Sequence, residues 1–251
     1  MPSRLLVLGL VALLVAGAAG RAQARSHAGI TVFAAASLTD VFPTIDASPR
    51  YSFGGSNALA AQIRLGAPAD VFASANTSLP AQLHAKGLCS KPVVFARNTL
   101  VIVVPRSNPA GIRNIYDLGK TGVKVDIAAP GVPVGGYTLQ VLEKLKLSKP
   151  VLANVVSRET DVREVLAKVA LGEADAGFVY STDARTTPGR VQVLKVPARA
   201  QPRLQYGICV VSNSGNRQAA QAFVGKVLSK AGQAKLRAAG FLPRAEPHEK
   251  K

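Results

Sequence analysis

Short apolar segments alternate with amphipathic segments along nearly the whole chain. The apolar ones have the length and composition of buried strands, and the amphipathic ones repeat at helical spacing. Such alternation is typical of α/β proteins, in which helices cover a mostly parallel sheet. The sequence therefore predicts an α/β fold, with strands at 30–35, 51–54, 71–73, 100–104, 123–128, 176–180, 191–196 and 205–211.

One long apolar stretch, residues 93–105, has a polar interruption at residues 97–99. A strand that leaves one sheet and enters another produces this pattern, and residues 205–211 are suited to the return crossing. We therefore expect two lobes with a ligand cleft between them. The first lobe is predicted to comprise residues 25–96 plus 207–243, and the second residues 97–206.

The N-terminal segment resembles an export signal. Arg4 precedes an unbroken apolar run over residues 5–19, and a small-x-small cleavage site, Ala22-Gln23-Ala24, follows. This pattern predicts a secretory signal peptide over residues 1–24, since the run is too short to span a membrane. We expect a soluble, exported protein without a lipid anchor, because no cysteine follows the run. Residues 244–251 are predicted to form a disordered tail.

The formal net charge is +17, and it falls to +15 without residues 1–24, which contain Arg4 and Arg21 and no acidic residue. Nucleic acid is not the expected partner, because the basic residues are scattered and aromatic residues make up only 5% of the chain. A positive field would instead accelerate the capture of an anion.

Cysteine and histidine usage argues against a metal centre or histidine-based catalysis. Cys89 and Cys209 are the only thiols, and an isolated pair in an exported protein predicts a disulfide. His27, His84 and His248 show no metal-ligand spacing.

Two strand-to-helix turns carry a serine at the helix entrance. The strand at residues 30–36 leads into Ser37, and Phe53-Gly54-Gly55 leads into Ser56. Glycine lets a ligand approach the main chain, and the first N–H groups of a helix attract anions. No charged residue adjoins either serine, so the pattern suggests an oxyanion held by neutral donors.

Three later turns have compatible chemistry. The Pro/Gly-rich segment 128–137 exposes backbone N–H groups, that of Val134 among them, and the helix beginning near residue 161 offers the N–H of Val162. Tyr180 ends a predicted strand, where open α/β sheets bind ligands. Taken singly, each feature has an ordinary structural explanation: the serines as helix caps, Tyr180 as a packing residue and the turn as a loop.

Four segments together resemble the periplasmic molybdate-binding proteins of ABC transporters, a branch of the two-lobed solute-binding fold of type II. They occur in the family's order, and the likeness extends over nearly the whole mature chain; the segments are residues 32–38, 53–63, 66–75 and 172–180. The resemblance implies a cleft that binds molybdate or tungstate through Ser37, Ser56, Val134, Val162 and Tyr180.

The resemblance further implies no cofactor, no directly coordinated metal, a membrane permease as partner and a monomeric state. Two features depart from the family pattern. The segment from Asp40 to Tyr51 is short, which shortens the first helix, and Val134 occupies a position where alanine is common.

Two alternatives stay open. The first is a binding protein for another tetrahedral oxyanion, sulfate above all. The second is an exported hydrolase with Ser56 as nucleophile, which requires a histidine base and an orienting acid. The sequence around Ser56 is not the Gly-x-Ser-x-Gly elbow, and His84 is the only histidine outside the predicted tails.

Overall fold

The computed structural model describes residues 29–244, and its strands form two sheets. The strands are β1 (Thr31–Ala35), β2 (Arg50–Gly54), β3 (Val71–Ser74), β4 (Val93–Arg97), β5 (Leu100–Pro105), β6 (Val125–Ala128), β7 (Val155–Glu159), β8 (Ala176–Tyr180), β9 (Val191–Lys195) and β10 (Gln205–Val210). The α-helices are α1 (Phe42–Ile45), α2 (Ser56–Arg64), α3 (Ser78–Ala85), α4 (Pro133–Lys144), α5 (Ser148–Leu152), α6 (Val162–Leu171), α7 (Ser181–Ala184), α8 (Arg217–Leu228) and α9 (Lys230–Ala238). Short 3-10 helices cover Ala36–Leu38, Ile115–Gly119 and Ala198–Ala200.

The two sheets share one plan. The first has the order β2-β1-β3-β10-β4 and the second the order β7-β6-β8-β5-β9. In the first, β1 is parallel to β2 and β3, whereas β10 is antiparallel to β3 and β4. In the second, β6 is parallel to β7 and β8, whereas β5 is antiparallel to β8 and β9. The predicted α/β fold is confirmed, with mixed sheets in which a single strand runs against the other four.

Burial explains which segments form the central strands. All residues of β3, β6 and β8 are buried, and these strands are almost entirely apolar. The edge strand β7 alternates exposed and half-buried positions, and its sequence Val-Val-Ser-Arg-Glu carries too few apolar residues to be recognised as a strand. The sequence reasoning missed β7 for this reason.

Two crossings join the lobes. β4 ends at Arg97 in the first sheet and β5 begins at Leu100 in the second, so that Asn98 and Thr99 form the outgoing connection. β10 returns to the first sheet from Gln205. The predicted lobe boundaries, 96/97 and 206/207, fall inside β4 and β10, and the exact division between lobes stays a prediction.

The helix predicted after β1 is shorter and broken. A 3-10 turn covers Ala36–Leu38, and α1 occupies only Phe42–Ile45, with Pro43 in its first turn. Proline is compatible with the first turn of a helix but not with its interior, so the helix cannot extend back through residue 43 without losing a hydrogen bond.

The predicted disulfide is not formed in the structure. Cys89 and Cys209 are both buried free thiols. Residue 89 forms an antiparallel bridge with Val211 at the end of β10, and the two thiols are close enough to interact. Oxidative pairing of the two neighbouring sulfurs therefore stays a prediction.

Among residues 29–244, no helix is both long and apolar enough to cross a membrane. The predicted signal peptide, His27, His248 and all of the predicted tail except Arg244 lie outside the described residues.

Candidate functional site

A small pocket lies where the two lobes meet. Its walls include all five residues predicted to bind the oxyanion: Ser37, Ser56, Val134, Val162 and Tyr180. The serines follow strands of the first sheet, and the other three residues follow or end strands of the second. The fold thus brings both sets of strand ends to one place.

Ser37 lies in the 3-10 turn directly after β1 and is 3% exposed. The sequence allowed Ser37 to act as a helix cap, but the structure shows no side-chain cap at this turn. The Ser37 hydroxyl instead lies 2.9 Å from the hydroxyl of Tyr206 in β10. Its oxygen is therefore held by a side chain and is not used to close the turn.

Ser56 is the first residue of α2, and Gly55 occupies the cap position. Capping by Ser56, as the sequence allowed, does not occur: no side chain caps this helix. The Ser56 hydroxyl oxygen accepts a hydrogen bond from the Ala75 N–H at 3.1 Å. Because an N–H can only donate, the hydroxyl proton of Ser56 is free to point into the pocket.

Val134 is the second residue of α4, after Pro133. Proline has no N–H, so Val134 carries the first donor of this helix, and no side chain caps it. The Val134 side chain is 1% exposed and belongs to the apolar core, so its size is accommodated by packing.

Val162 is the first residue of α6. The side chain of Asp161 caps this helix by accepting hydrogen bonds from the N–H groups of Arg163 and Glu164, at 2.7 and 3.2 Å. The Val162 N–H is not among the donors that this carboxylate satisfies, and Val162 lines the pocket.

Tyr180 ends β8 and is 1% exposed. Its hydroxyl is buried and has no hydrogen-bond partner among the described residues. Burial, and then the nearby Tyr206, raise the pKa of Tyr180 well above its ordinary value, so the hydroxyl keeps its proton. An unpaired buried hydroxyl costs about 1–3 kcal/mol, which a ligand in the pocket would recover.

The lobes approach closely around this pocket. A Cβ at Gly55 in the first lobe would lie 2.2 Å from the Thr160 carbonyl oxygen in the second. Beside it, Arg163 of α6 reaches across to Asp40 at 2.5 Å and also binds the buried Asp183 at 2.8 Å. Burial raises the pKa of Asp183 to about 6, and Arg163 opposes that rise. These contacts describe a closed arrangement of the two lobes.

The chemistry of the pocket is that of neutral donors. None of the described residues that line it is cationic, and its one acidic residue, Asp161, is engaged in capping α6. No group of histidine, cysteine and acidic residues suited to a metal ion occurs within residues 29–244. The Nδ1 atom of His84 is bonded to the Cys89 carbonyl oxygen, and His84 does not line the pocket, so the structure gives Ser56 no histidine base there.

The sequence reasoning missed the residues that hold the serines. Tyr206 contacts Ser37, and the backbone of Ala75 contacts Ser56, from strands distant in the chain. It also missed the bridge from Arg163 to Asp40. No local pattern marks these residues, because each acts only through a partner that tertiary folding supplies.

Comparison with known proteins supports one family. Residues 30–242 match the family of bacterial extracellular solute-binding proteins. The chain is 37% identical to the molybdate-binding protein ModA of Mycobacterium tuberculosis, over 95% of this chain and 95% of the relative.

Solved structures agree on the fold. The periplasmic molybdate-binding protein of Azotobacter vinelandii superimposes with a TM-score of 0.76 at 23% identity, over 86% of this chain and all of that chain. The sulfate-binding protein SubI of Mycobacterium tuberculosis gives a TM-score of 0.77, also at 23% identity, over 86% and 87%. The two-lobed solute-binding fold is thereby confirmed, and fold alone does not distinguish molybdate from sulfate.

Proposed function

The chain belongs to the family of bacterial extracellular solute-binding proteins, and from that premise we propose that it captures molybdate in the pocket between its lobes. The observation that carries the proposal is the buried, unpaired hydroxyl of Tyr180, which faces a pocket lined by helix N-termini from both lobes. The 37% identity to ModA over almost the full length favours molybdate over sulfate.

The anion would be bound without a countercharge. The hydroxyls of Ser37, Ser56 and Tyr180 and the N–H groups of Ser37, Ser56, Val134 and Val162 would donate to its oxygens. Each hydrogen bond to a charged group contributes about 1.5–3 kcal/mol, and the exclusion of water strengthens it. The N-termini of α2, α4 and α6 add a favourable dipole term. Because donors come from both lobes, binding and closure would be one event.

Selectivity would follow from a site that offers donors only. A protonated anion such as hydrogen phosphate would direct its own O–H at a donor, and that mismatch is costly. Sulfate is smaller than molybdate, so its oxygens would not reach every donor at hydrogen-bond length. Tungstate has nearly the same size and charge as molybdate, and we expect comparable binding.

The site would work outside the cytoplasm, with residues 1–24 as the export signal that the family's extracellular location requires. The protein would act as a monomer and deliver molybdate to the membrane permease of an ABC importer. The net charge of +15 on the mature chain would speed the capture of the anion without defining which anion binds.

The proposal is tested by calorimetric titration of the mature protein with molybdate, tungstate, sulfate and phosphate at pH 6, 7 and 8. We expect comparable affinities for molybdate and tungstate, sulfate at least about a hundredfold weaker, and phosphate weaker still. The molybdate affinity should be nearly flat with pH, since neutral hydroxyl and amide donors do not titrate in this range.

If sulfate binds as tightly as molybdate, the proposal of a molybdate-binding protein is wrong and the alternative, a sulfate-binding protein, takes its place. A steep change in affinity near pH 6.5 would show that a titrating group contributes to binding and would refute the mechanism of neutral donors. An ester substrate should be neither bound nor cleaved, and turnover abolished by Ser56→Ala would revive the hydrolase hypothesis.

A further inference from the structure

Two buried residues at the crossings between the lobes connect to the binding pocket. Asn98 lies between β4 and β5 and is 4% exposed, and Tyr206 lies in β10 and is fully buried. The pairing of β10 with β4 shifts register between Tyr206 and Gly207. Such a bulge re-aims a side chain, and the Tyr206 hydroxyl reaches Ser37 at 2.9 Å.

The orientation of the Asn98 amide is determined by its partners. Its Oδ1 atom accepts from the Thr99 N–H at 2.9 Å, and this donor cannot be reversed. The Ser181 hydroxyl donates to the same oxygen at 2.9 Å. The Nδ2 group therefore faces the other way, where it donates to Thr182 Oγ1 at 2.9 Å and to Tyr206 Oη at 3.5 Å. An NH₂ group has donors and no acceptor.

The Asn98 NH₂ group cannot accept the proton of Tyr206, so Ser37 Oγ is the one acceptor for that proton among the described partners of Tyr206 Oη. If Ser37 donated instead, the buried proton of Tyr206 would have no acceptor, so the favourable arrangement has Tyr206 as donor. Burial raises the pKa of Tyr206 well above its ordinary value, so this proton is retained at physiological pH. Ser37 Oγ then accepts, and the proton of Ser37 is left for the pocket. The Ser56 hydroxyl likewise accepts a hydrogen bond, from the Ala75 N–H, and likewise keeps its own proton for the pocket.

We infer that Tyr206, oriented by Asn98, is a positioning residue that turns the Ser37 hydroxyl into a fixed donor and so makes the site discriminate against protonated oxyanions. The inference rests on the proposed function, because it assigns a direction to one of the proposed ligand contacts. It places the origin of that selectivity at the connection between the lobes, in residues that do not line the pocket.

The test is a double-mutant cycle with Ser37→Ala and Tyr206→Phe, measured with molybdate and phosphate by calorimetry. Phenylalanine keeps the ring that packs against Phe95, Tyr180 and Phe241 and removes only the hydroxyl. We expect Tyr206→Phe to weaken molybdate binding about tenfold in the parent and less than twofold in the Ser37→Ala background.

The ratio of molybdate affinity to phosphate affinity shows whether Tyr206 orients the Ser37 hydroxyl or only supports the structure of the pocket. A Ser37 hydroxyl released by Tyr206→Phe can rotate and accept from a protonated anion, so this ratio should fall about tenfold. A purely structural loss would weaken both anions equally. Tyr51→Phe is the control: it removes a half-buried tyrosine hydroxyl that donates to the Asp46 carbonyl oxygen in the first lobe and does not line the pocket, and it should leave affinity and ratio unchanged.

Additive losses in the cycle, or an unchanged ratio, would overturn the inference while the proposed function stands. A parent protein that binds none of molybdate, tungstate and sulfate would overturn both. If Tyr206→Phe does not fold, Asn98→Ala replaces it, because this variant removes the amide that donates to Tyr206. It is then combined with Ser37→Ala in the same cycle. Non-additive losses and a fall in the ratio of molybdate to phosphate affinity are again the expected results.

Discussion

At the scale of single residues, the pocket is notable for what its serines do not do. Serine at the start of a helix usually caps it, yet neither Ser37 nor Ser56 forms a side-chain cap. Each hydroxyl oxygen is held from the side, by Tyr206 or by the Ala75 N–H. The Ser56 proton is therefore available to a ligand, and so is the Ser37 proton when Tyr206 donates to Ser37, which fits a site built from donors.

Ser37→Ala and Ser56→Ala should each weaken molybdate binding about ten- to a hundredfold, the loss of one hydrogen bond to a charged group. Neither hydroxyl caps a helix, but each variant removes a hydrogen-bond partner from a buried group, Tyr206 Oη or the Ala75 N–H, so the free energy of unfolding without ligand should fall by about 1–3 kcal/mol. Calorimetry and thermal unfolding measure the two effects separately. Affinity equal to that of the parent in either variant would remove that residue from the site.

A second residue-scale feature is the buried acid Asp126 in β6. Burial and the neighbouring Glu159 carboxylate raise the pKa of Asp126 to about 7, while Lys168 opposes the shift. The folded chain therefore retains a proton that the unfolded chain releases near pH 4. The resulting stability is present below about pH 4 and is lost as the pH rises toward 7.

The side chain in Asp126→Asn cannot ionise, so this variant should not lose stability as the pH rises toward 7. We expect its free energy of unfolding, relative to the parent, to rise by at least about 1 kcal/mol between pH 4 and pH 7.5. Urea unfolding at a series of pH values measures this difference. Glu143→Gln, at an exposed position of α4, is the control and should stay within about 0.5 kcal/mol of the parent. A difference for Asp126→Asn that does not change with pH would contradict the prediction.

At the scale of elements, the two lobes use the same connection between helix and strand. Gly66 after α2 and Gly172 after α6 have φ values of +88° and +79°, which glycine adopts readily. An Ala-Asp pair follows each glycine. Asp70 accepts from the Thr31 N–H at 2.7 Å, and Asp175 from the Lys124 N–H at 2.8 Å. Each carboxylate thus ties the start of a central strand to the start of its parallel neighbour.

The cysteines join elements of the first lobe, since residue 89 bridges to the end of β10 next to Cys209. We predict that oxidation pairs them, because this bridge places the two buried thiols close enough to interact. The intact mass of the oxidised mature protein should be two daltons below that of the dithiol. The cross-link should stabilise the fold by about 2–4 kcal/mol. Full alkylation of both thiols in the native, unreduced protein would contradict the pairing, and Cys209→Ser provides the single-thiol reference.

At the scale of the whole molecule, closure depends on the close approach of the lobes. The Arg163–Asp40 bridge involves an aspartate side chain that is 60% exposed, so it contributes at most about 1 kcal/mol. The contact of Gly55 with the Thr160 carbonyl oxygen is steric and leaves no room for a side chain. The close approach of the two backbones at Gly55, and not the ion pair, therefore determines which variants of the protein can bring the lobes together.

Gly55→Ala should prevent full closure and weaken molybdate binding by at least about a hundredfold, since its Cβ would lie 2.2 Å from a backbone oxygen of the other lobe. Small-angle scattering should show no compaction when molybdate is added. Gly131→Ala is the matched control, because its Cβ would meet only Asn57 Nδ2 of the other lobe, at an ordinary 3.6 Å. Parent-like affinity and compaction in Gly55→Ala would show that closure does not need this contact.

The sequence by itself determined the α/β class, the crossings near residues 97 and 205 and five of the residues that line the pocket. Each depends on a local signal: a buried apolar run, a polar break in such a run, or a turn that leads from a strand into a helix. Only the tertiary structure decided that the serines are not caps, that the Ala75 N–H contacts Ser56 and that Tyr206 contacts Ser37. These facts depend on hydrogen bonds between segments that meet only after the sheets assemble, so no local pattern encodes them.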